Sequence, residues 1–457
     1  MKISIEVLQP KVKGEFANIW VKYEEDTILK KVQLRFSDFE KMVDYTNDRK
    51  SLAMDFLLVS AITYGIDDLL ARKIFSFNGW TREIEVTFPV FHVNNWVAVS
   101  SQLEETLSFL TGDIWTVSFE LLKVANLFFP RTNRRESKIP EYIYTDYINV
   151  SLFSGGLDSL MGIIDKMEEL EDGKKIVLVS HLDPNYPGPS RDQSLILKKF
   201  EISYPNKFTH ILSRIGIADR NHKGEKITRD GNQRSRSIMF IGLGVYFLNK
   251  TPNTNTLLIP ENGTISLNHP LTPSRSSSLS TRTTHPHFLK SIQNILILLG
   301  LDVRLENPFQ YKTKGDMVSE CSNQKVLQNT FSDSVSCGKR GHKVHWKNRK
   351  ANQCGICMPC IYRRAALHVK KLDNEIYGND LLKLNPKLAT GDVRALFDYL
   401  MTPYSKKQIM RNILVNGSIV IDELEGFSEV VIKSRLEIIR WIKDKGSEKL
   451  INYLNIK

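Results

Sequence analysis

Ser154-Gly155-Gly156-Leu157-Asp158-Ser159 decides the reading of this chain. It follows an apolar run, Ile148 to Phe153, and opens a helical run from Asp158 to Leu170. A strand, a glycine-rich turn and a helix start make an anion site. Two glycines let the backbone turn sharply and come close to a ligand. Successive N–H groups at a helix start point at the anion, and the helix dipole favours negative charge. Ser154 and Ser159 add hydroxyl donors. Asp158 is out of place beside phosphates unless it helps to hold Mg²⁺ or caps the helix. The lysine of a Walker-type loop is absent, so γ-phosphate chemistry of the P-loop kind is not indicated.

Outward from this hexapeptide, β-type and helical runs alternate. Lys175 to Leu182, Phe208 to Ile215, Thr256 to Pro260 and Asp302 to Leu305 read as strands. Ser190 to Phe200, Ser235 to Leu248 and His287 to Leu299 read as helices. This alternation predicts an α/β fold, a doubly wound parallel sheet with helices on both faces. Ligands of such sheets bind beyond the carboxyl ends of the strands. Two polar connections, Gly216 to Arg234 and Asn262 to Pro286, read as functional lids, with disordered insertions as the alternative.

The second motif is Cys337, then sixteen residues, then Cys354-Gly355-Ile356-Cys357-Met358-Pro359-Cys360. Thiolates at this spacing close a tetrahedral shell, and four of them argue for structural zinc over a metal-bound catalytic water. His342 and His345 lie inside the loop as alternative ligands, but fit better in its basic surface. From Cys337 to Arg364 there are eight Lys and Arg and no Asp or Glu. Cys321 stands apart and reads as a small buried residue.

The flanks carry no chemical motif. Residues 1–145 read as an N-terminal α+β module, with strands at Lys2 to Val7, Ile28 to Phe36 and Arg82 to Val90. Leu52 to Tyr64 and Trp96 to Leu110 read as helices, and Arg131 to Pro140 as a linker. The central domain takes 146–372 and includes the cysteine segment 337–360. Residues 373–457 read as a C-terminal helical region, with Glu429 to Lys443 as a packed amphipathic helix.

A length of 457 residues fits two or three domains. The N-terminus lacks a signal-peptide layout, and the longest apolar run, Ile238 to Leu248, is too short for a bilayer. The expectation is a cytoplasmic protein without a membrane partner. A net charge of +12 favours anionic partners, such as nucleotides, phosphates, RNA or an acidic protein, with an ordinary basic surface as the alternative.

The hexapeptide resembles the PP-loop signature of the ATP pyrophosphatases (adenine nucleotide α-hydrolase-like). Together with the late cysteines it resembles the 7-cyano-7-deazaguanine synthase (QueC) family, over roughly Tyr147 to Leu367. Asn307-Pro308-Phe309, Lys314, Asp316-Met317-Val318, Ser336-Cys337 and Cys354 to Arg363 match as well. The resemblance implies ATP, Mg²⁺ and Zn²⁺ as cofactors. It implies adenylation of 7-carboxy-7-deazaguanine with release of pyrophosphate, followed by capture of the acyl adenylate by an amine. It implies that Ser154, Gly155, Gly156, Leu157, Asp158 and Ser159 bind the nucleotide, with Ser154 and Asp158 catalytic. Lys314 is a candidate for stabilising charge, a solvated helix lysine being the other reading. Arg236 and Arg275 are candidates for charge contacts to phosphate or carboxylate, with solvated loop arginines as the alternative.

The chain departs from that family around the substrate pocket. Arg234-Ser235-Arg236 stands where the family has an arginine–asparagine pair, and His269 to Arg275 stands for its Tyr-Pro-Asp-Cys-Arg segment. The long layout resembles the QueC-like branch of Qat anti-phage defence systems, which implies partner proteins from the same operon and an amine acceptor on one of them. The competing expectation is a defence factor that binds nucleotide or nucleic acid and keeps the fold without turnover.

Overall fold

The computed structural model describes the chain except residues 12–14, 38–49, 129–143, 186–187, 232–233, 270, 272–281 and 457. Arg275 and the stretch Arg131 to Pro140 therefore lie outside the described residues.

The fold is α/β around one ten-stranded sheet, in the order β10-β9-β6-β7-β8-β3-β2-β1-β4-β5. The strands are β1 Lys2–Leu8, β2 Asn18–Glu25, β3 Ile28–Ser37, β4 Glu83–Val90, β5 Ile114–Leu121, β6 Tyr147–Leu152, β7 Lys175–Leu182, β8 Phe208–Asn221, β9 Thr256–Leu258 and β10 Arg304–Glu306. Six of the nine pairings are parallel. The helices used below are α1 Leu52–Leu69, α2 Ser100–Thr111, α3 Leu157–Glu169, α4 Gly188–Ser203, α5 Arg236–Leu248, α6 Pro286–Leu298, α7 Lys314–Glu320, α8 Met358–Val369 and α9 Ile421–Lys445.

β7 is buried along nearly its whole length because both of its faces are covered. Ile176 and Leu178 face α3 and α4, whereas Val177 and Val179 face the core that holds α1, α5 and α6. The chain runs from β6 outward to β7 and β8, then returns past β6 to β9 and β10. The crevice between β6 and β9 is thus the point where the winding reverses, the place where such sheets bind ligands.

The described residues of 1–145 share this sheet and one continuous apolar core with those that follow. The seam is β3 against β8, antiparallel, with Phe36 opposite Ile215 and Leu34 opposite Ile217. α1 begins at Ser51, whose hydroxyl accepts from the Met54 N–H at 3.2 Å. It packs so closely on α5 that a Cβ on Gly242 would lie 2.8 Å from Ser60 Cβ. At the far edge, α2 covers β5, and Glu104 accepts the Val117 N–H at 2.8 Å.

One expectation needs correction. Gly216 to Arg234 is not a lid throughout: Gly216 to Asn221 continue β8, and Arg220 bridges to Lys226. The pairing with β3 draws this polar stretch into the sheet, and β3 lies far away in sequence. Glu429 to Lys443 is a packed amphipathic helix as expected, within the longer α9: Val430, Val431, Ile438 and Trp441 are buried, and Leu436 of its apolar stripe is 54% exposed. Among the described residues, no helix is long and apolar enough to cross a membrane.

Candidate functional site

The Ser154–Ser159 turn sits at the carboxyl end of β6, above the crevice. Its geometry is tightly determined. The Phe153 carbonyl accepts from Ser180 Oγ at 2.7 Å and Gln193 Nε2 at 3.0 Å. Gly155 has φ +79, and a Cβ there would lie 2.9 Å from Gln193 Cγ. Ser154 Oγ accepts from the Gly156 N–H at 3.2 Å and lies 3.1 Å from Ser159 Oγ. Gly156, in extended conformation, leads into α3.

The turn opens on a cleft of about 890 Å³. Ser154, Gly156, Leu157, Asp158 and Ser159 line it, together with Arg236, Lys314 and residues of the cysteine segment. Gly155 lies in the turn itself. The structure thus brings together at one cleft the described residues that the sequence singled out for nucleotide and charge contacts.

The floor of the cleft is a buried charge cluster. Lys314 Nζ donates to Asp158 Oδ2 at 2.7 Å, and Asn262 Nδ2 donates to the same oxygen at 2.9 Å. Glu261 packs against Asp158. Burial opposes ionisation of Asp158, but the Lys314 charge and hydrogen bonds from Glu261, Lys314 and Asn262 outweigh it and hold the carboxyl below its usual range. Burial and the Asp158 charge push Glu261 well above its usual range. The two carboxyls titrate as a pair, in which the negative charge is favoured on Asp158 beside Lys314.

Glu261 and Asn262 were missed in the sequence reading. The signal was their position: they follow β9 as Ser154 follows β6, on the other side of the crevice. Asn262 also caps a short helix, accepting from the Ile265 N–H at 3.1 Å. Arg340, also missed, lines the cleft and forks onto Asp192, with one arm at 3.0 Å.

Arg236 is held by His181. The buried ring turns Nε2 to the Ile215 carbonyl at 2.8 Å, so Nε2 carries the proton and Nδ1 accepts from Arg236 Nε at 3.4 Å. Burial, helped by the Arg236 charge, lowers His181 to about 3 and keeps it neutral. Arg236 also donates to the His181 carbonyl at 3.0 Å.

Cys337, Cys354, Cys357 and Cys360 bring their sulfurs within 4.8 Å of one another. Tetrahedral zinc with Zn–S bonds of about 2.3 Å separates its sulfurs by about 3.8 Å. Cys354 Sγ and Cys360 Sγ are 3.8 Å apart. Cys337 Sγ faces the N–H of Lys339 and Cys354, and Cys354 Sγ faces those of Ile356 and Cys357, all at 3.3–3.4 Å. Such donors favour thiolates. The cluster could hold a metal ion such as zinc, and four thiolates leave no open position. His342 and His345 stay exposed and outside it. Cys321 is buried in an apolar cluster, and burial pushes its thiol up to about 12. The segment also closes the cleft: the Val335 N–H donates to the Gly155 carbonyl at 3.2 Å, and Ser336 to Gly338 line the wall.

Comparison with protein families, curated proteins and solved structures finds no match to this chain.

Proposed function

We propose that this chain is a QueC-like ATP pyrophosphatase that adenylates a 7-deazaguanine carboxylate and releases pyrophosphate. The observation that carries the reading is the meeting of the Ser154–Ser159 turn with Lys314 and Arg236 at the crevice between β6 and β9. A cleft of about 890 Å³ has room for a nucleotide beside a second small molecule.

In this reading the N–H groups of the turn and the Ser154 and Ser159 hydroxyls cradle the β- and γ-phosphates. Arg236, pre-oriented by His181, and Lys314 face the charge that develops on pyrophosphate as it leaves. The substrate carboxylate lies in line with the α-phosphate and attacks phosphorus; the bond to the bridging oxygen breaks, and that oxygen keeps the electron pair. The acyl adenylate is then open to an amine, on a partner protein from the same defence operon, with loss of AMP. Asp158 and Glu261 are hard oxygen donors, and Asp158 Oδ1 is buried without a hydrogen-bond partner, a donor set that fits Mg²⁺ once Glu261 is deprotonated. Lys314 and Asn262 occupy Asp158 Oδ2, which leaves its other oxygen and Glu261 to hold the ion. Mg²⁺ bound there would neutralise phosphate charge. The Cys₄ site fits structural zinc that holds the wall of the cleft.

A second reading, a nucleotide or nucleic-acid binding factor without turnover, draws on the exposed Lys339, Lys347, Arg349 and Lys350 of the cysteine loop. One experiment separates the two. 7-Carboxy-7-deazaguanine and then guanine are titrated calorimetrically with a non-hydrolysable ATP analogue present, and pyrophosphate is assayed with ATP. The enzyme reading expects selective binding of the carboxylate and ATP-dependent pyrophosphate. Equal or absent binding of both, with no pyrophosphate, refutes it.

A further inference from the structure

Lys314 owes its place to a helix that is more than a hundred residues away in sequence. α7 starts with a capping box, in which the Thr313 hydroxyl accepts from the Asp316 N–H at 3.0 Å and Asp316 Oδ2 accepts from the Thr313 N–H at 3.0 Å. α9 presses Glu437 onto this start. The Thr313 hydroxyl donates to Glu437 Oε1, and the Gly315 N–H donates to the same carboxyl. Glu437 thus holds both neighbours of Lys314. The contact is close enough that a Cβ on Gly315 would collide with the Glu437 carboxylate. A second tie, Lys433 to Asp316, joins the same two helices.

We infer that Glu437 is a positioning residue for Lys314, through which the C-terminal helical region sets the cation that pairs with Asp158 in the cleft. Its two hydrogen bonds hold the Thr313 hydroxyl on one side of Lys314 and the Gly315 N–H on the other, and this directs the long side chain down to Asp158. A lysine has several rotatable bonds, and holding its ammonium at one buried carboxylate requires a fixed Cα. α9 lies outside the stretch that carries the PP-loop resemblance, so this region acts on the site without lining it. The consequence for catalysis rests on the adenylating function proposed above; the positioning itself does not.

Acylation footprinting with N-hydroxysuccinimidyl acetate, read by mass spectrometry, tests the inference in the full chain. Lys207 serves as internal reference, because its ammonium donates to the Met167 carbonyl at 3.0 Å, at the opposite end of α3 from Asp158. Glu437→Ala is expected to raise Lys314 acylation about tenfold, the weight of one charge-assisted hydrogen bond, with Lys207 unchanged. Glu437→Gln keeps an acceptor for Thr313 and Gly315 and is expected to retain protection. Unchanged Lys314 protection in Glu437→Ala, or Lys207 rising in step with Lys314 in both variants, overturns the inference. Pyrophosphate release is measured in parallel. A protected Lys314 in a wild-type protein that releases none sinks the adenylating function and leaves the positioning role standing. With turnover, Glu437→Ala lowers kcat while the KM for ATP holds, and Glu437→Gln restores kcat.

Discussion

Lys314 Nζ lies 2.7 Å from Asp158 Oδ2, and both side chains are at least nine-tenths buried. The two residues are 156 positions apart. Removing one member of a buried ion pair leaves an uncompensated charge and costs about 3–5 kcal/mol, whereas replacing both can be close to neutral. Lys314→Met should therefore destabilise the chain by about that amount, and Asp158→Asn combined with Lys314→Met should recover part of it. Urea unfolding of the four forms gives the coupling. Additive losses would mean that the pair does not interact as described. All variants are expected to lose pyrophosphate release.

Ser154→Ala should abolish pyrophosphate release and leave the fold intact. The hydroxyl joins Gly156 and Ser159 within the turn, and losing one such hydrogen bond costs only about 1 kcal/mol. Gly155→Ala should be more harmful. It places a Cβ against Gln193 at φ +79, so the turn itself must move. Circular dichroism and turnover measured side by side check both, and wild-type turnover in Ser154→Ala counts against the assignment.

One tightly held zinc per chain is expected at the four cysteines. Structural Cys₄ zinc contributes on the order of 10 kcal/mol in small domains, so Cys357→Ser should cost folding or solubility before rate. Because Val335 reaches Gly155, chelation should also weaken nucleotide binding. Elemental analysis of freshly purified protein is decisive: absence of zinc removes the site.

Arg82 anchors the junction of α1 with β4 and β5. It is fully buried, donates to Asp113 Oδ1 at 3.0 Å and to the Leu70 carbonyl at 2.6 Å, and pairs with Asp67. Burial works against its charge, yet Asp67 and Asp113 raise its pKa above the ordinary value. Arg82→Met leaves the buried Asp67 and Asp113 with Arg72 as their remaining ion-pair partner and should cost about 3–5 kcal/mol. A denaturant midpoint equal to that of wild type would contradict the cluster.

Burial, with Asp316 adding to it, pushes Glu437 up to about 7, while Thr313, Gly315 and Lys433 pull the other way. A raised folded-state value means that the contribution to stability is complete below the ordinary value of 4.5 and is lost as pH rises through about 7. The Tm of wild type relative to Glu437→Gln should therefore fall between about pH 5 and about pH 8. A rise over that range would show a carboxylate more at home charged than this packing allows.

Local patterns were sufficient for the parallel half of the sheet and for the two motifs. β7 is legible at its full bounds because a strand buried on both faces is one nearly uninterrupted apolar run. The cysteine spacing carries its own geometry, since the three late cysteines lie within a single turn-and-helix start. β2 and β5 were missed. β2 alternates regularly, with Ile19, Val21 and Tyr23 buried, but it ends in charged residues, and β5 is an edge strand that turns alternate residues outward. Asp158 stands out beside the phosphates in the sequence, but nothing there pairs it with its partners: Glu261 and Asn262 come from the connection after β9, and Lys314 from the start of α7.

The sequence by itself determined what short-range chemistry can specify. It set the strand–turn–helix at Ser154–Ser159, the four-thiolate cluster, and the alternation that makes an α/β fold. Periodicity and turn residues act over a few positions, so these features are complete within their own segments. Only the tertiary structure decided that residues 1–145 extend the same sheet through β3 and β8 and that β9 returns beside β6 to place Glu261 against Asp158. It also decided that Glu437 reaches the start of α7. Each of these depends on which surfaces bury one another, and burial is a property of the whole chain. The upward push on Glu261 follows the same rule, because it comes from the approach of Asp158 and from the water the two exclude.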